Sequence, residues 1–200
     1  ISSHILKSKI LKRHNVKLVY RKNKPKFNLD NFELFKIDLT KKKNLINLNV
    51  FDIDIIIHLA GYVNPRRNNI FKKKSNNENF LTTKNIVEIA KKNKNIKFIF
   101  LSSDKVYSQK SKYPLITEKP KPSMFYGKMK YKCEQIIKSN IKRHIILRVP
   151  IVHSNSLKLI KSSPFIDRAI QQKKHIKAYG NIVRSFIDAD LLSLLILNLM

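Results

Sequence analysis

The 200 residues, of which 42% are hydrophobic, are enough to bury a substantial core. A formal net charge of +29 usually points to phosphate-rich partners, but here the lysines are spread along the chain among Asn and Ile, without aromatic residues between them. We therefore expect no specific nucleic-acid partner, only weak adhesion that salt disrupts. The apolar run 191–200 is too short to span a bilayer, so no membrane partner is expected, and the single Cys133 excludes an internal disulfide, which favours the cytoplasm.

Strand-like and helix-like patterns alternate along the chain, which predicts a parallel sheet covered by helices on both faces. Three prolines make residues 108–123 an irregular loop. The expected elements are, in chain order, a helix over 3–13, strands over 16–20, 33–37 and 53–58, a helix opening at Asn79, a strand over 96–101, a helix carrying Tyr126, a strand over 145–149, a helix near 164–172 and an apolar helix over 191–200.

Tyr126 and Lys130 stand four residues apart and therefore share one face of the predicted helix. A nearby ammonium favours the phenolate, so Lys130 is expected to lower the Tyr126 pKa from about 10 towards neutral pH, as proton transfer requires. Ser103, at the end of the preceding strand, could hydrogen-bond the same substrate oxygen. Taken alone, the Tyr126 and Lys130 spacing has an alternative interpretation, in which the helix is exposed and rich in lysine and the tyrosine is there by chance.

A second candidate site follows the strand over 53–58. There the buried strand runs into Leu59, Ala60 and Gly61, a turn of small residues where backbone can approach a ligand closely.

In this order, the segments resemble the extended short-chain dehydrogenase/reductase family of nucleotide-sugar epimerases, dehydratases and reductases. The segments are 54–61, 79–85, 97–107, 126–130, 144–150 and 184–190, which span nearly the whole chain. The resemblance implies an α/β fold with a Rossmann-like doubly wound parallel sheet that binds NAD or NADP. An NAD(P)-binding domain is expected over 1–150, and the beginning of a small substrate-binding cap over 151–200.

The resemblance also implies that the first strand and the glycine-rich turn of the family are missing. Ser2 lies where the last glycine of a Gly-x-x-Gly-x-x-Gly turn would stand, and Gly61, Gly127 and Gly180 are not in such a turn. Those glycines let the backbone approach the dinucleotide pyrophosphate at a helix N-terminus. We expect the sequence to be part of a longer protein at both ends.

Two positions bear on the choice of dinucleotide. Arg21 follows the strand over 16–20, where an acidic residue would bind the ribose of NAD and a cation would meet the 2′-phosphate of NADP, so the sequence favours NADP. Asp38 and Leu39 match the pair that contacts adenine in the family. A carboxylate that caps a loop turn is the equal alternative for Asp38.

The family resemblance assigns roles to the candidate catalytic residues. Lys130 would hold the nicotinamide ribose, Tyr126 would exchange a proton with the sugar oxygen, and Ser103 would hold that oxygen. Family dehydratases carry Asp-Glu after the catalytic Ser or Thr, whereas this chain has Asp104 and Lys105. A dehydratase is therefore disfavoured, and an epimerase and a 4-keto reductase both remain open.

The remaining assignments concern the substrate and partners. Arg184 matches the arginine that binds the nucleotide diphosphate in the family, while Asp104 is either a substrate contact or a turn residue. The resemblance implies a nucleotide-sugar substrate and a homodimer, and no cluster of residues indicates a metal. The alternative function is a non-catalytic Rossmann-like binding protein that associates with RNA.

Overall fold

A computed structural model of the chain describes residues 1–25, 32–45, 48–61, 69–108, 114–153 and 185–200. The described helices and strands are α1 (Ser2–Leu6), β1 (Val16–Tyr20), β2 (Phe32–Lys36), β3 (Ile55–His58), α2 (Asn69–Ala90), β4 (Lys97–Ser103), α3 (Phe125–Asn140), β5 (Arg143–Val149), β6 (Ile151–His153), β7 (Phe186–Asp188) and α4 (Ala189–Asn198). The predicted helix near 164–172 lies outside the described residues.

All strand pairs in the described part of the chain are parallel. β1 pairs with β2, β4 lies between β3 and β5, and β6 pairs with β7. Helix α2 connects β3 to β4 and α3 connects β4 to β5, because parallel neighbours require a crossover connection. The predicted α/β, Rossmann-like class is confirmed.

Helices cover both faces of the central sheet. Phe98 and Phe100 of β4 are fully buried in one core cluster with α2 and α3. Leu101, whose side chain points to the opposite face of the strand, packs in a second cluster with α1 and α4. Successive side chains of β4 therefore pack into two separate cores on opposite faces of the sheet, as expected for a doubly wound sheet.

The central sheet and the β1–β2 sheet share no strand pairing among the described residues. A cavity of about 880 Å³ is lined by side chains of both β1 and β3, including Val16, Leu18, Ile55 and Ile57. Residues of both sheets thus line a common cavity.

The predicted helix over 3–13 is interrupted. Helix α1 ends at Leu6, and a separate 3₁₀ turn covers Lys9–Arg13. Ser8 separates the two because its Oγ accepts a hydrogen bond from Ile10 N at 3.2 Å and so caps the second turn. Serine competes with the helix in this way by bonding nearby backbone.

The expectation that a helix opens at Asn79 was wrong, because α2 begins at Asn69. Asn79 is buried in the helix, and its carbonyl accepts a hydrogen bond from the Thr83 hydroxyl at 3.1 Å. The polar stretch before Asn79 has no hydrophobic periodicity that could have marked it as helical.

Helix α4 begins after a capping carboxylate, Asp188. Its Oδ1 accepts from Asp190 N at 2.7 Å and from Leu191 N at 3.2 Å. Asp190 lies in the first turn of this helix and contacts His4. None of the helices in the described ranges is long and apolar enough to cross a membrane.

Candidate active site

Helix α3 carries Tyr126 and Lys130, and a glycine lets a neighbouring turn approach it closely. A Cβ on Gly127 would lie 2.0 Å from the Lys105 carbonyl oxygen, a distance that no side chain tolerates. The 3₁₀ turn Asp104–Val106 therefore packs directly on the helix backbone. This contact brings the end of β4, with Ser103, beside the first turn of α3.

Tyr126 is largely buried at this contact and packs against the hydrophobic core. Burial raises the Tyr126 pKa to about 12, and the nearby Asp104 carboxylate and Cys133 add to the increase. The expected lowering of this pKa by Lys130 was wrong, because loss of hydration is the largest influence on it and acts in the opposite direction. At neutral pH the Tyr126 hydroxyl keeps its proton.

Lys130 lies on the same half-buried side of α3 as Tyr126, as its spacing predicts. Its ammonium donates to Leu101 O at 2.6 Å and lies 4.6 Å from the centroid of the Phe100 ring. Burial lowers the Lys130 pKa to about 8, although Cys133 and Glu134 act in the opposite direction. The cation is thus held against the carboxyl end of β4.

Ser103 is the last residue of β4 and is nearly buried. Its Oγ donates to Asp104 Oδ1 at 3.0 Å and accepts from Lys105 N at 3.3 Å. Asp104 also pairs with the Lys105 ammonium at 3.2 Å. The structure therefore brings Ser103, Asp104 and Tyr126 together, and Asp104 has the turn contacts that its alternative interpretation predicted.

The turn Leu59 to Gly61 lies at the same edge of the sheet. It directly follows β3, whose last residue, His58, is opposite Phe100 of β4, so both strands end near the candidate site. The space beside Gly61 is open, since the nearest atom to an added Cβ would be Asn79 Oδ1 at 3.9 Å. A ligand could therefore approach this backbone, as the sequence predicts.

The candidate adenosine contacts form their own ion-pair group. Arg21 pairs with Asp38 at 3.2 Å and with Glu78 at 3.4 Å. Asp38 accepts hydrogen bonds from Thr40 N and Thr40 Oγ1 at 3.1 and 2.7 Å, which lower its pKa. Asp38 thus caps a turn, as one interpretation predicted, and Leu39 beside it is half-buried. Dinucleotide contacts of these residues stay predictions.

His58 is a core residue in the structure. Its Nε2 lies 2.9 Å from the Thr83 hydroxyl, and its ring stacks on Phe100 with centroids 5.4 Å apart. Burial lowers the His58 pKa to about 3, so the ring is neutral at any physiological pH.

Sequence reasoning missed a buried ionic group behind the site. Glu134 of α3 is fully buried, bonds the Ser102 hydroxyl at 2.6 Å and pairs with Arg148 of β5 at 2.7 Å. Arg148 also donates to the Tyr107 hydroxyl at 2.9 Å. The available signal was Glu134 at four residues beyond Lys130, on the same helix face.

Two further expectations concern ligands. Arg184, the predicted diphosphate contact, lies outside the described residues. Within the ranges described, no group of three or more His, Cys, Asp or Glu side chains could hold a metal ion.

Comparison with known proteins identifies the family. The model of the NAD dependent epimerase/dehydratase family matches residues 1–192. A UDP-N-acetylglucosamine 4-epimerase from Methanobrevibacter ruminantium M1, in complex with UDP-N-acetylmuramic acid, is 25% identical with a TM-score of 0.73, and the match covers 96% of this chain and 66% of that one. MoeE5, in complex with UDP-glucuronic acid and NAD, is 20% identical with a TM-score of 0.73, over 97% of this chain and 66% of that one.

A third structure, UDP-N-acetylglucosamine 4-epimerase from Bacillus cereus, is 23% identical with a TM-score of 0.69, over 97% of this chain and 67% of that one. No curated protein matches the chain. The chain spans 66% of the length of the first two structures. Since the family model covers residues 1–192, this chain belongs to the NAD dependent epimerase/dehydratase family.

Proposed function

We propose that the protein is an NAD(P)-dependent oxidoreductase that acts on a nucleotide-linked sugar, as an epimerase or a 4-keto reductase. The observation that carries this proposal is the contact at Gly127, which brings Ser103 of β4 beside Tyr126 and Lys130 of α3. A hydroxyl pair and a buried ammonium at the carboxyl edge of a parallel sheet suit proton transfer next to a dinucleotide.

The residues at this edge fit the nicotinamide half of the dinucleotide. An ammonium has three N–H donors, so Lys130 can keep its bond to Leu101 O and also donate to ribose hydroxyls. The open side of Gly61 accommodates close approach of a ligand to the backbone. When bound, NAD or NADP supplies the acceptor or the donor of a hydride.

Tyr126 would move the proton at the sugar oxygen. In the oxidative direction its phenolate form would take the hydroxyl proton as hydride leaves the carbon that bears this hydroxyl, and in the reductive direction its hydroxyl would protonate the carbonyl oxygen. With a pKa of about 12, Tyr126 begins in the protonated form, which serves the reductive direction first. Ser103 would donate to the same oxygen and fix its distance.

Asp104 and Lys105 bear on whether the protein is an epimerase, a reductase or a dehydratase. Elimination of water from the sugar needs an additional acid and base, and here Lys105 stands next to Asp104 and neutralises it through an ion pair at 3.2 Å. This pairing supports epimerase or reductase chemistry over dehydration. We further propose that Asp104 borders the sugar and that Arg184 binds the diphosphate.

The choice between NAD and NADP rests on Arg21. Its guanidinium favours the 2′-phosphate of NADP, but Asp38 and Glu78 already share that charge. MoeE5 is in complex with NAD. We keep a preference for NADP as a proposal, which the ratio of the dissociation constants for the two dinucleotides tests directly. Stronger binding of NAD would reverse it.

Assembly and location complete the proposal. We expect a homodimer in the cytoplasm, without a specific nucleic-acid or membrane partner. Sedimentation velocity of the purified protein tests the dimer, and a single monomer boundary at micromolar concentration contradicts it.

The function is tested by incubating the protein with NAD or NADP and, in turn, UDP-N-acetylglucosamine, UDP-glucose and UDP-glucuronic acid, with separation of the products by chromatography. We expect an epimerised sugar from an epimerase, or a 4-keto sugar and reduced dinucleotide from a reductase working in its oxidative direction, and we expect Ser103→Ala to lower kcat by about ten- to hundredfold. Dinucleotide binding without turnover of any sugar would favour a non-catalytic binding protein instead.

A further inference from the structure

Glu134 is a fully buried carboxylate on α3 that accepts hydrogen bonds from two side chains. Arg148 donates to it from Nε at 3.1 Å and from a terminal nitrogen at 2.7 Å, and Ser102 Oγ donates at 2.6 Å. Burying a charge is costly unless it is paired and fully hydrogen-bonded. The carboxylate here meets that condition, and its strong bonding raises the Arg148 pKa further.

The partners come from the elements that build the candidate active site. Ser102 precedes Ser103 on β4 and is opposite Arg148 on β5 in the strand register. Glu134 lies eight residues after Tyr126 and four after Lys130, on the same face of α3. One carboxylate therefore ties the helix to the ends of both strands.

Arg148 extends the group to the turn after β4. It donates to the Tyr107 hydroxyl at 2.9 Å, and its guanidinium lies 4.8 Å from the centroid of the Tyr107 ring. Tyr107 immediately follows the 3₁₀ turn Asp104–Val106, which packs on α3 at Gly127. The turn that bears Asp104 is thus fixed on both sides.

Stability alone explains this group poorly, since buried ion pairs can often be replaced by apolar side chains of similar volume without loss of stability. What an apolar contact lacks is direction. A two-bond contact between guanidinium and carboxylate fixes both distance and angle, so the helix cannot slide along the sheet.

We propose that Glu134 and Arg148 are positioning residues that set the Tyr126 hydroxyl relative to Ser103. Neither side chain is assigned a contact with the substrate. They act through α3, β4 and the 3₁₀ turn, where a displacement of about 1 Å can cost about a hundredfold in rate. This inference rests on the proposed function for its kinetic consequence, but not for the geometry that it assigns.

The test compares the double variant Glu134→Leu/Arg148→Met with the unmodified full chain, and adds Arg148→Lys, which keeps the charge but loses the two-bond contact. With UDP-N-acetylglucosamine and NAD, we expect kcat to fall by about ten- to hundredfold while KM changes by less than about twofold. Melting of the double variant should stay within a few degrees of the parent. The matched control is Glu88→Gln, which breaks the exposed pair with Lys91 and should change neither constant.

A second readout does not depend on turnover. The ring carbons of tyrosine are labelled with ¹³C, Tyr126 is assigned by its loss in Tyr126→Phe, and its titration is followed up to about pH 11 by NMR. In the parent Tyr126 stays protonated there, given its pKa of about 12. If the pair positions α3, loosening admits water and Tyr126 begins to ionise below pH 11 in the double variant.

The outcomes separate this inference from the proposed function. If no sugar is turned over by the parent, the Tyr126 titration alone decides, and an unchanged titration in the double variant overturns the positioning role. If the parent is active, an unchanged kcat in a folded double variant overturns it. Should the double variant fail to fold, Arg148→Lys decides by the same two readouts.

Discussion

Burial shifts the pKa values of Tyr126 and Lys130 in opposite directions. The phenol is harder to ionise, with a pKa of about 12, and the ammonium is easier to deprotonate, with a pKa of about 8. Both shifts favour the neutral forms, although Lys130 keeps a strong bond to Leu101 O. Below about pH 8 the site therefore holds Lys130 in its charged form at a cost in stability.

The cost at Lys130 predicts a specific dependence of stability on pH. Between about pH 8 and 10.5 the native state has released the Lys130 proton and the unfolded state still binds it, so this group makes the free energy of unfolding rise with pH. The full rise is roughly 3 kcal/mol at about 1.4 kcal/mol for each pKa unit. Denaturant titrations of the parent and of Lys130→Met across this range measure it.

The difference between the two proteins isolates the contribution of Lys130. The parent should gain stability relative to Lys130→Met as the pH increases from 8 to 10.5. A difference that stays constant over this range would mean that Lys130 is hydrated like a surface lysine. Lys128→Met, at an exposed position of the same helix, is the control and should show no such trend.

Between elements, the decisive feature is the close approach of the 3₁₀ turn Asp104–Val106 to α3. The turn is capped by Ser103 at its beginning and followed by Tyr107, which Arg148 holds. Glycine is the one residue type that permits this approach at position 127, because any Cβ there would overlap the Lys105 carbonyl.

Gly127→Ala should therefore destabilise the protein and impair the site. Helix propensity alone would favour alanine by about 1 kcal/mol. A Cβ only 2.0 Å from a backbone oxygen forces the turn outward at a cost near the upper end of about 1–3 kcal/mol, which leaves a net loss of about 1–2 kcal/mol. We expect lower stability in denaturant titrations and loss of turnover. Gly61→Ala is the control for stability, since its added Cβ would meet no atom closer than 3.9 Å. Equal stability of Gly127→Ala and the parent would contradict the observed contact.

The sequence predicts the elements best where apolar residues alternate or cluster. The strand predicted over 16–20 coincides with β1, and the strands around Phe98 and Ile146 are placed within a few residues. Prediction failed where local polar contacts decide, as at the Ser8 cap, and where a polar stretch continues as helix before Asn79. Neither leaves a hydrophobic period to detect.

In the candidate site, too, the sequence predicts some features and not others. Spacing was sufficient to place Tyr126 and Lys130 on one face, and strand order was sufficient to bring Ser103 near them. The direction of the Tyr126 pKa shift could not be predicted, because it depends on burial among side chains distant in sequence. For the same reason Glu134 and Arg148 were not recognised as partners, since fourteen residues separate them along the chain.

On the scale of the whole molecule, the three parallel sheets of the described residues and the helices on both faces of the central sheet agree with the doubly wound class. The net charge of +29 is a property of the entire surface, since the lysines are not gathered in one segment. Such a charge attracts polyanions without selecting among them.

This distribution of charge predicts unspecific and salt-sensitive binding of RNA. Single-stranded RNAs of unrelated sequence should bind with similar affinity at about 50 mM salt, and that affinity should fall steeply by about 200 mM. Fluorescence anisotropy with two or more labelled RNAs measures both effects. A strong preference for one sequence that persists at the higher salt would support the RNA-binding alternative.

The most direct test of the account is the turnover of UDP-N-acetylglucosamine by the protein and by Tyr126→Phe, measured with NAD binding in the same preparations. Removing one hydroxyl from the half-buried ring should leave NAD affinity within about twofold and lower kcat by about a hundredfold or more, as expected for loss of the acid–base group. Equal turnover by Tyr126→Phe and the parent would contradict the assignment of Tyr126 as the residue that moves the proton.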